Sequence, residues 1–182
     1  MSKKNLGSLQ YGFGSWMHLS EKEFPEIRAV THINLTSRYV RQFSDEVHVC
    51  LFTDGAGTII KDGKNYPVMK ETCFVGNFLD LYEIRPGPAG LSYICISVNT
   101  AMISFIELSP HWNAKPLFPE LPVGLLRVPK DEFEEILAIA KKLEYTSGIE
   151  TDRGRELQSS IFIELFCRIM RASHHCNMQS AD

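Results

Sequence analysis

The chain lacks an excess of basic residues, a long apolar run and a paired cysteine motif, and each absence removes a class of function. Lys and Arg number 19 against 22 Asp and Glu, a net charge of −3. A protein that grips nucleic acid by itself needs clustered positive charge to displace counterions from phosphates. Neither half of the chain, cut at Leu126, is basic, which argues against unaided DNA binding. No window approaches the roughly 18 consecutive apolar residues of a membrane span. The opening Met1-Ser2-Lys3-Lys4-Asn5-Leu6-Gly7 lacks the apolar core of a signal peptide. The expected location is therefore cytoplasmic, with no membrane partner. Cys50, Cys73, Cys95, Cys167 and Cys176 are scattered without a C-x-x-C pair and read as small buried hydrophobes of a reducing compartment. The G-x-S-x-G elbow and the G-x-x-x-x-G-K-[ST] phosphate loop are also missing.

What is present is the composition of a globular domain: 182 residues, 44% hydrophobic and 10% aromatic. Residues 1–24 form an N-terminal arm in which Gly7, Gly12 and Gly14 alternate with Tyr11, Phe13 and Trp16. So much aromatic surface on a flexible backbone predicts docking, either over a sheet edge or as a lid on a ligand, with Trp16 as a candidate contact. Residues 25–126 read as short antiparallel strands broken by turn residues. Val47-His48-Val49-Cys50-Leu51-Phe52 stops at Asp54-Gly55-Ala56-Gly57, and Asp62-Gly63 closes the next turn before Tyr66-Pro67-Val68. Cys73-Phe74-Val75 and Leu79 to Ile84 follow. Arg85-Pro86-Gly87-Pro88-Ala89-Gly90 is expected to be irregular, and Leu91 to Val98 is a further strand. Strands at this spacing suggest a sandwich or barrel.

After prolines at 110, 116, 119 and 122 the apolar period changes from two to near 3.6. Residues 127–172 read as a helix pair. Pro129-Lys130-Asp131-Glu132 suits a first helical turn, and Phe133, Ile136, Leu137, Ala140 and Leu143 fall on one stripe up to Ser147-Gly148. A second helix starts near Thr151-Asp152. Its apolar arc is wide, and two helices alone hardly enclose a core. Leu157, Ile161, Leu165, Phe166 and Ile169 are therefore expected to pair two copies as a homodimer, with packing on the barrel as the other reading. Residues 173–182 lose all periodicity and read as the start of a linker. Adjacent His174, His175 and Cys176 point in different directions and offer no fourth ligand, so no metal site is expected there.

These residues resemble a family. The run Val47 to Gly57, then Asp62-Gly63-Lys64-Asn65-Tyr66-Pro67-Val68, then Tyr93-Ile94-Cys95-Ile96, resembles the effector-binding half of AraC-type bacterial transcription regulators. The segments Phe133-Glu134-Glu135-Ile136 and Glu156 to Phe166 look like that family's helical dimerisation segment, in the same order. The resemblance covers about residues 25–172. It implies a mainly β fold with α, a cupin-like antiparallel barrel followed by a helix pair. It also implies a small-molecule effector inside the barrel, an arm that folds over the pocket, and DNA contacts made only by a C-terminal helix-turn-helix domain that this chain does not contain. Family sugar-binding positions fall on Asp54, Tyr82, Tyr93 and Cys95. Only Tyr82 keeps its residue type, which speaks against a sugar such as arabinose. The candidate ligand-binding set is Tyr82, Tyr93, His48, Asp54, Cys95 and Trp16, with no cofactor. Arg38 and Arg41 read as solvated edge charges, and His111-Trp112 as packing at the crossover.

The competing reading is a stand-alone cupin that binds or transforms a metabolite. Metal-dependent cupins resemble one another in a first motif of H-x-H, three or four residues, Glu, six residues, Gly. Counting back from Gly55, His48 takes the Glu position, and Gln42 and Ser44 take the two His positions. The second motif asks for a His after Cys73-Phe74-Val75, where the chain reads Gly76-Asn77-Phe78-Leu79-Asp80. A single imidazole holds a divalent transition metal weakly, so catalysis through a metal is not expected.

Overall fold

The computed structural model describes residues 27–40, 46–77, 80–99, 124–147, 149 and 151–179, with side chains given for all of these except 40, 152 and 174–179. Trp16 and the rest of the arm, Arg41, Gln42, Ser44, Leu79 and His111-Trp112 lie outside the described residues. Among the described residues, seven strands precede two helices: β1 (Ile27–Leu35), β2 (Tyr39–Val40), β3 (Glu46–Lys61), β4 (Lys64–Met69), β5 (Thr72–Gly76), β6 (Tyr82–Asn99), β7 (Gly124–Arg127), α1 (Lys130–Thr146) and α2 (Asp152–Gln179). The strands form one sheet in the order β1-β6-β3-β5-β7, with β2 on β6 and β4 on β3. All the pairings are antiparallel.

Two long strands organise the sheet. β3 and β6 pair from Glu46 opposite Asn99 to Lys61 opposite Tyr82, with irregularities between Phe52 and Asp54 and between Gly55 and Gly57. The segment 54–57, expected as a turn, is thus a bulge inside one strand. Residues 85–90, expected as irregular, are also strand. The reason is backbone proximity. A Cβ on Gly55, whose φ is +76°, would lie 2.3 Å from the Gly90 carbonyl oxygen, and one on Gly57 would lie 2.5 Å from that of Arg85. Glycine is what lets the strands touch where they bend, and the bulge absorbs prolines that a regular ladder rejects.

The bend closes the sheet on itself. Cys50 and Phe52 near one end of β3 share an apolar cluster with Ile59 near its other end, together with Val68, Phe74, Tyr82, Ile84, Leu91 and Tyr93. Cys50 and Ile59 would lie about 30 Å apart on a straight strand, so their common cluster requires the strand to roll. The cupin-like antiparallel barrel with a following helix pair is the fold found.

Side chains alternate across this roll, as the two-residue period of a strand demands. Val47, Val49, Leu51, Cys73, Val75, Ile94, Ile96 and Val98 face outward into a second cluster, with Phe133, Ile136, Leu143, Phe162 and Leu165 of the helices. α1 follows its N-cap residue Pro129, carries Asp131 and Glu132 in its first turn, and buries Phe133, Ile136, Ile139, Ala140 and Leu143. Its C-terminal end is tied to the next helix by Gln158, whose Nε2 donates to the carbonyls of Thr146 at 2.7 Å and Ile149 at 3.3 Å. Glu144 accepts from the Thr31 backbone N–H at 2.8 Å, which fixes α1 against β1.

Four of the five residues expected to pair two copies lie in this outward core. Ile161, Leu165, Phe166 and Ile169 are 8%, 0%, 7% and 2% exposed within the single chain, whereas Leu157 is 47% exposed. The sheet covers the arc that the helices could not cover for each other, which corrects the reading of that arc as intermolecular surface. α2 runs to Gln179, so residue 173, where a linker was expected to begin, is still helical.

Candidate functional site

The inward face of the barrel carries the chemistry. Glu46, His48, Cys50 and Phe52 share one face of β3 by the two-residue period, and Tyr93, Cys95 and Ser97 share the matching face of β6. Tyr82 enters from the far end of β6. In register it lies opposite Lys61, yet its hydroxyl meets His48 Nδ1 at 2.5 Å. His48 and Lys61 would be about 40 Å apart on a straight strand, so this bond also records the roll.

His48 is 4% exposed and Tyr82 is 3% exposed. The second ring nitrogen of His48, Nε2, lies 3.3 Å from Glu46 Oε2, and Glu46 Oε1 accepts from Arg28 of β1 at 2.8 Å. The result is a polar chain, Tyr82–His48–Glu46–Arg28, running from the apolar interior to the half-open edge where Arg28 is exposed. Glu46 is held below the ordinary carboxylate value first by its hydrogen bond with His48, against a desolvation penalty, and further by the Arg28 charge.

Aromatic rings line the rest. Phe74 meets Tyr82 edge-on with centroids 4.9 Å apart, and Phe52 lies 5.5 Å from Tyr93. His32 of β1 stacks on Tyr93 at 4.6 Å and 25°. Burial lowers the His32 pKa and raises that of Tyr93, the latter also through Cys50 and Cys95. A neutral imidazole against a neutral phenol is therefore the state that packing favours.

Of the candidate ligand-binding residues, the structure brings His48, Tyr82, Tyr93 and Cys95 together and leaves Asp54 out. Tyr82 and Tyr93 belong to the inner cluster, and Cys95 packs against it. Asp54 is exposed at the bulge. Glu46, Arg28, His32 and Cys50 join this cluster and are residues that the sequence reading did not single out. Three of them carried a signal: Glu46 and Cys50 flank His48 at the two-residue spacing, and His32 sits in a strand that pairs with Tyr93. Arg38 is exposed, as expected of an edge charge.

Among the described residues no three His, Cys, Asp or Glu side chains are placed to hold a metal ion together. No described helix is long and apolar enough to cross a membrane.

No protein-family profile and no curated protein matches the chain. Solved structures do. An apo ToxT variant from Vibrio cholerae matches at 9% identity over 80% of this chain and 56% of its own, with a TM-score of 0.52. The AraC-like transcriptional activator CuxR matches at 12% identity over 86% of this chain and 62% of its own, also with a TM-score of 0.52. The chain thus spans about three fifths of the length of each. At such identities the likeness is one of fold, and it extends over four fifths or more of this chain.

Proposed function

We propose that this chain is the small-molecule sensor of an AraC-type transcription regulator, with the effector held at the inner face of the barrel beside Tyr82, His48 and Tyr93. The observation that carries the reading is the polar chain that runs from buried Tyr82 and His48, in an otherwise aromatic and aliphatic interior, through Glu46 to exposed Arg28. Buried hydrogen-bonding groups cost stability unless they are satisfied, and an apolar lining with a few convergent polar atoms is the usual make-up of a ligand site. Tyr82 has one donor and two acceptor positions on its hydroxyl, so it can serve His48 and a ligand at once. The aromatic lining and neutral His32 suit a largely apolar effector with one or two polar atoms, and Arg28 at the rim suits an acidic group on it. Cys95 forms part of the wall, and Trp16 of the arm is proposed to cover the ligand.

The site reads as one of binding. Both ring nitrogens of His48 face protein groups, Tyr82 and Glu46, which fixes the orientation of the imidazole in the wall of the inner face. Effector binding would act by linkage: an effector that prefers one arrangement of arm or subunits shifts that equilibrium by its difference in affinity. DNA would be read by a separate domain. Two copies are proposed to pair through the surface where Tyr145 is 87%, Leu157 47% and Ile149 37% exposed. Leu157→Lys is expected to turn a sedimenting dimer into a monomer with the fold intact; an unchanged dimer would reject that surface.

The experiment for the effector site begins with native mass spectrometry of the purified chain, to recover a retained molecule. Isothermal titration of that molecule should then show binding to Tyr82→Phe weakened by about tenfold, the worth of one hydrogen bond in a buried site. Equal affinity for both proteins would overturn the assignment.

A further inference from the structure

Cys50 and Cys95 sit directly opposite each other on β3 and β6, and the Cys50 thiol donates to Cys95 Sγ at 3.8 Å. Both are free. Opposed residues of antiparallel strands have Cα atoms about 4.5–5.5 Å apart, inside the span a disulfide tolerates. The sulfurs are already in van der Waals contact, so the bond needs side-chain rotation and little backbone movement. The two are not equivalent: Cys50 is fully buried, and Cys95 is partly exposed. The other described cysteines differ in setting. Cys73 faces the opposite, helix-side cluster and is pushed up to about 12 by burial, and Cys167 lies exposed on α2.

We propose that Cys50 and Cys95 form a reversible oxidation site for hydroperoxides, in which Cys95 reacts first and Cys50 resolves it. In the first step the Cys95 sulfur takes the terminal peroxide oxygen. An S–O bond forms, the O–O bond breaks, and the thiol proton leaves with the other oxygen as an alcohol or water. In the second step the Cys50 sulfur attacks the Cys95 sulfenic acid, an S–S bond forms, and the hydroxyl leaves with the Cys50 proton as water. Two thiols are oxidised and one peroxide is reduced. The partner 3.8 Å away makes the second step intramolecular, which protects Cys95 from over-oxidation. The hydrogen bond to Cys95 and then desolvation raise the Cys50 thiol, which makes it a poor first nucleophile; its resolving role rests on its place directly against Cys95. The crosslink lies beside Tyr82 and Tyr93, so it would alter the wall of the inner face.

The test uses the full chain, reduced and then titrated with hydrogen peroxide, denatured, alkylated and mapped by peptide mass spectrometry without reductant. The expected product is one peptide pair joining Cys50 to Cys95, reversed by dithiothreitol. Cys167→Ser should leave its yield unchanged. Cys50→Ala should halt the reaction at a Cys95 sulfenic acid that dimedone traps, and Cys95→Ser should leave Cys50 unmodified. Oxidation confined to Cys167, with Cys50 and Cys95 both still alkylated, would overturn the proposal, as would a Cys95 crosslink to any cysteine other than Cys50. No effector is added in this experiment and the crosslink, not ligand binding, is what it reads, so its result stands apart from that of the sensor reading.

Discussion

The two faces of the same β3–β6 ribbon make opposite use of their residues. The outward face, Val47, Val49 and Leu51 against Ile94, Ile96 and Val98, is aliphatic and sealed by α1 and α2. The inward face, one residue out of phase, holds Glu46, His48, Cys50 and Phe52 against Tyr93 and Cys95. Alternate residues of a strand point to opposite faces, so one side can stay aliphatic and helix-packed while the other carries chemically rich residues. The lesson is a division of labour: the outward face supplies stability, and the inward face has room for polar groups because its cost is borne elsewhere.

Substitutions on each face test that division. The largest loss should come from the outward core. Phe133→Ala, at a fully buried position, is expected to cost about 3–5 kcal/mol in denaturant unfolding. A loss near that of an inner-face variant would break the comparison. Next comes the bend that both faces share. Gly55→Ala, at a positive φ and against the Gly90 carbonyl, is expected to cost roughly 1–3 kcal/mol. Smaller again, Tyr82→Phe leaves His48 Nδ1 without its hydroxyl partner and should cost about 1–2 kcal/mol in the same assay.

The smallest effect concerns pH. Glu46 is held below its ordinary value of 4.5 in the folded chain. Its contribution is therefore present above pH 4.5 and is lost as pH falls through the lower, folded value. Glu46→Gln should remove that acid-side slope and leave the slope above neutrality as it was. A pH–stability curve that keeps the slope in the variant would assign it to another carboxylate.

Much of this division is legible in the residues. Val47 to Phe52 alternates in the sequence as it does in the sheet, and α1 begins and ends where Pro129 and Ser147 indicate. The bend was not legible, because Asp54-Gly55-Ala56-Gly57 has the composition of a hairpin turn. Only the opposing backbone at Arg85 and Gly90 distinguishes a bulge from a turn, and that contact is remote in sequence. The wide apolar arc of α2 misled for a related reason. Ile161 and Leu165 look unsatisfied until the outer face of the sheet is known to meet them. At the site, His48 and Tyr82 were individually visible, but their bond depends on the roll that brings the two ends of the ribbon together. Glu46 and Cys50 were within reach of the period-two rule applied outward from His48.

The most direct measurement of the central claim is native mass spectrometry of three proteins purified alike: the unmodified chain, Tyr82→Phe on the inner face, and Leu157→Lys on the outer helical surface. The account predicts a small molecule retained by the unmodified chain and by Leu157→Lys, and lost or strongly depleted in Tyr82→Phe. A molecule kept by Tyr82→Phe and lost by Leu157→Lys would contradict it and move recognition to the helices.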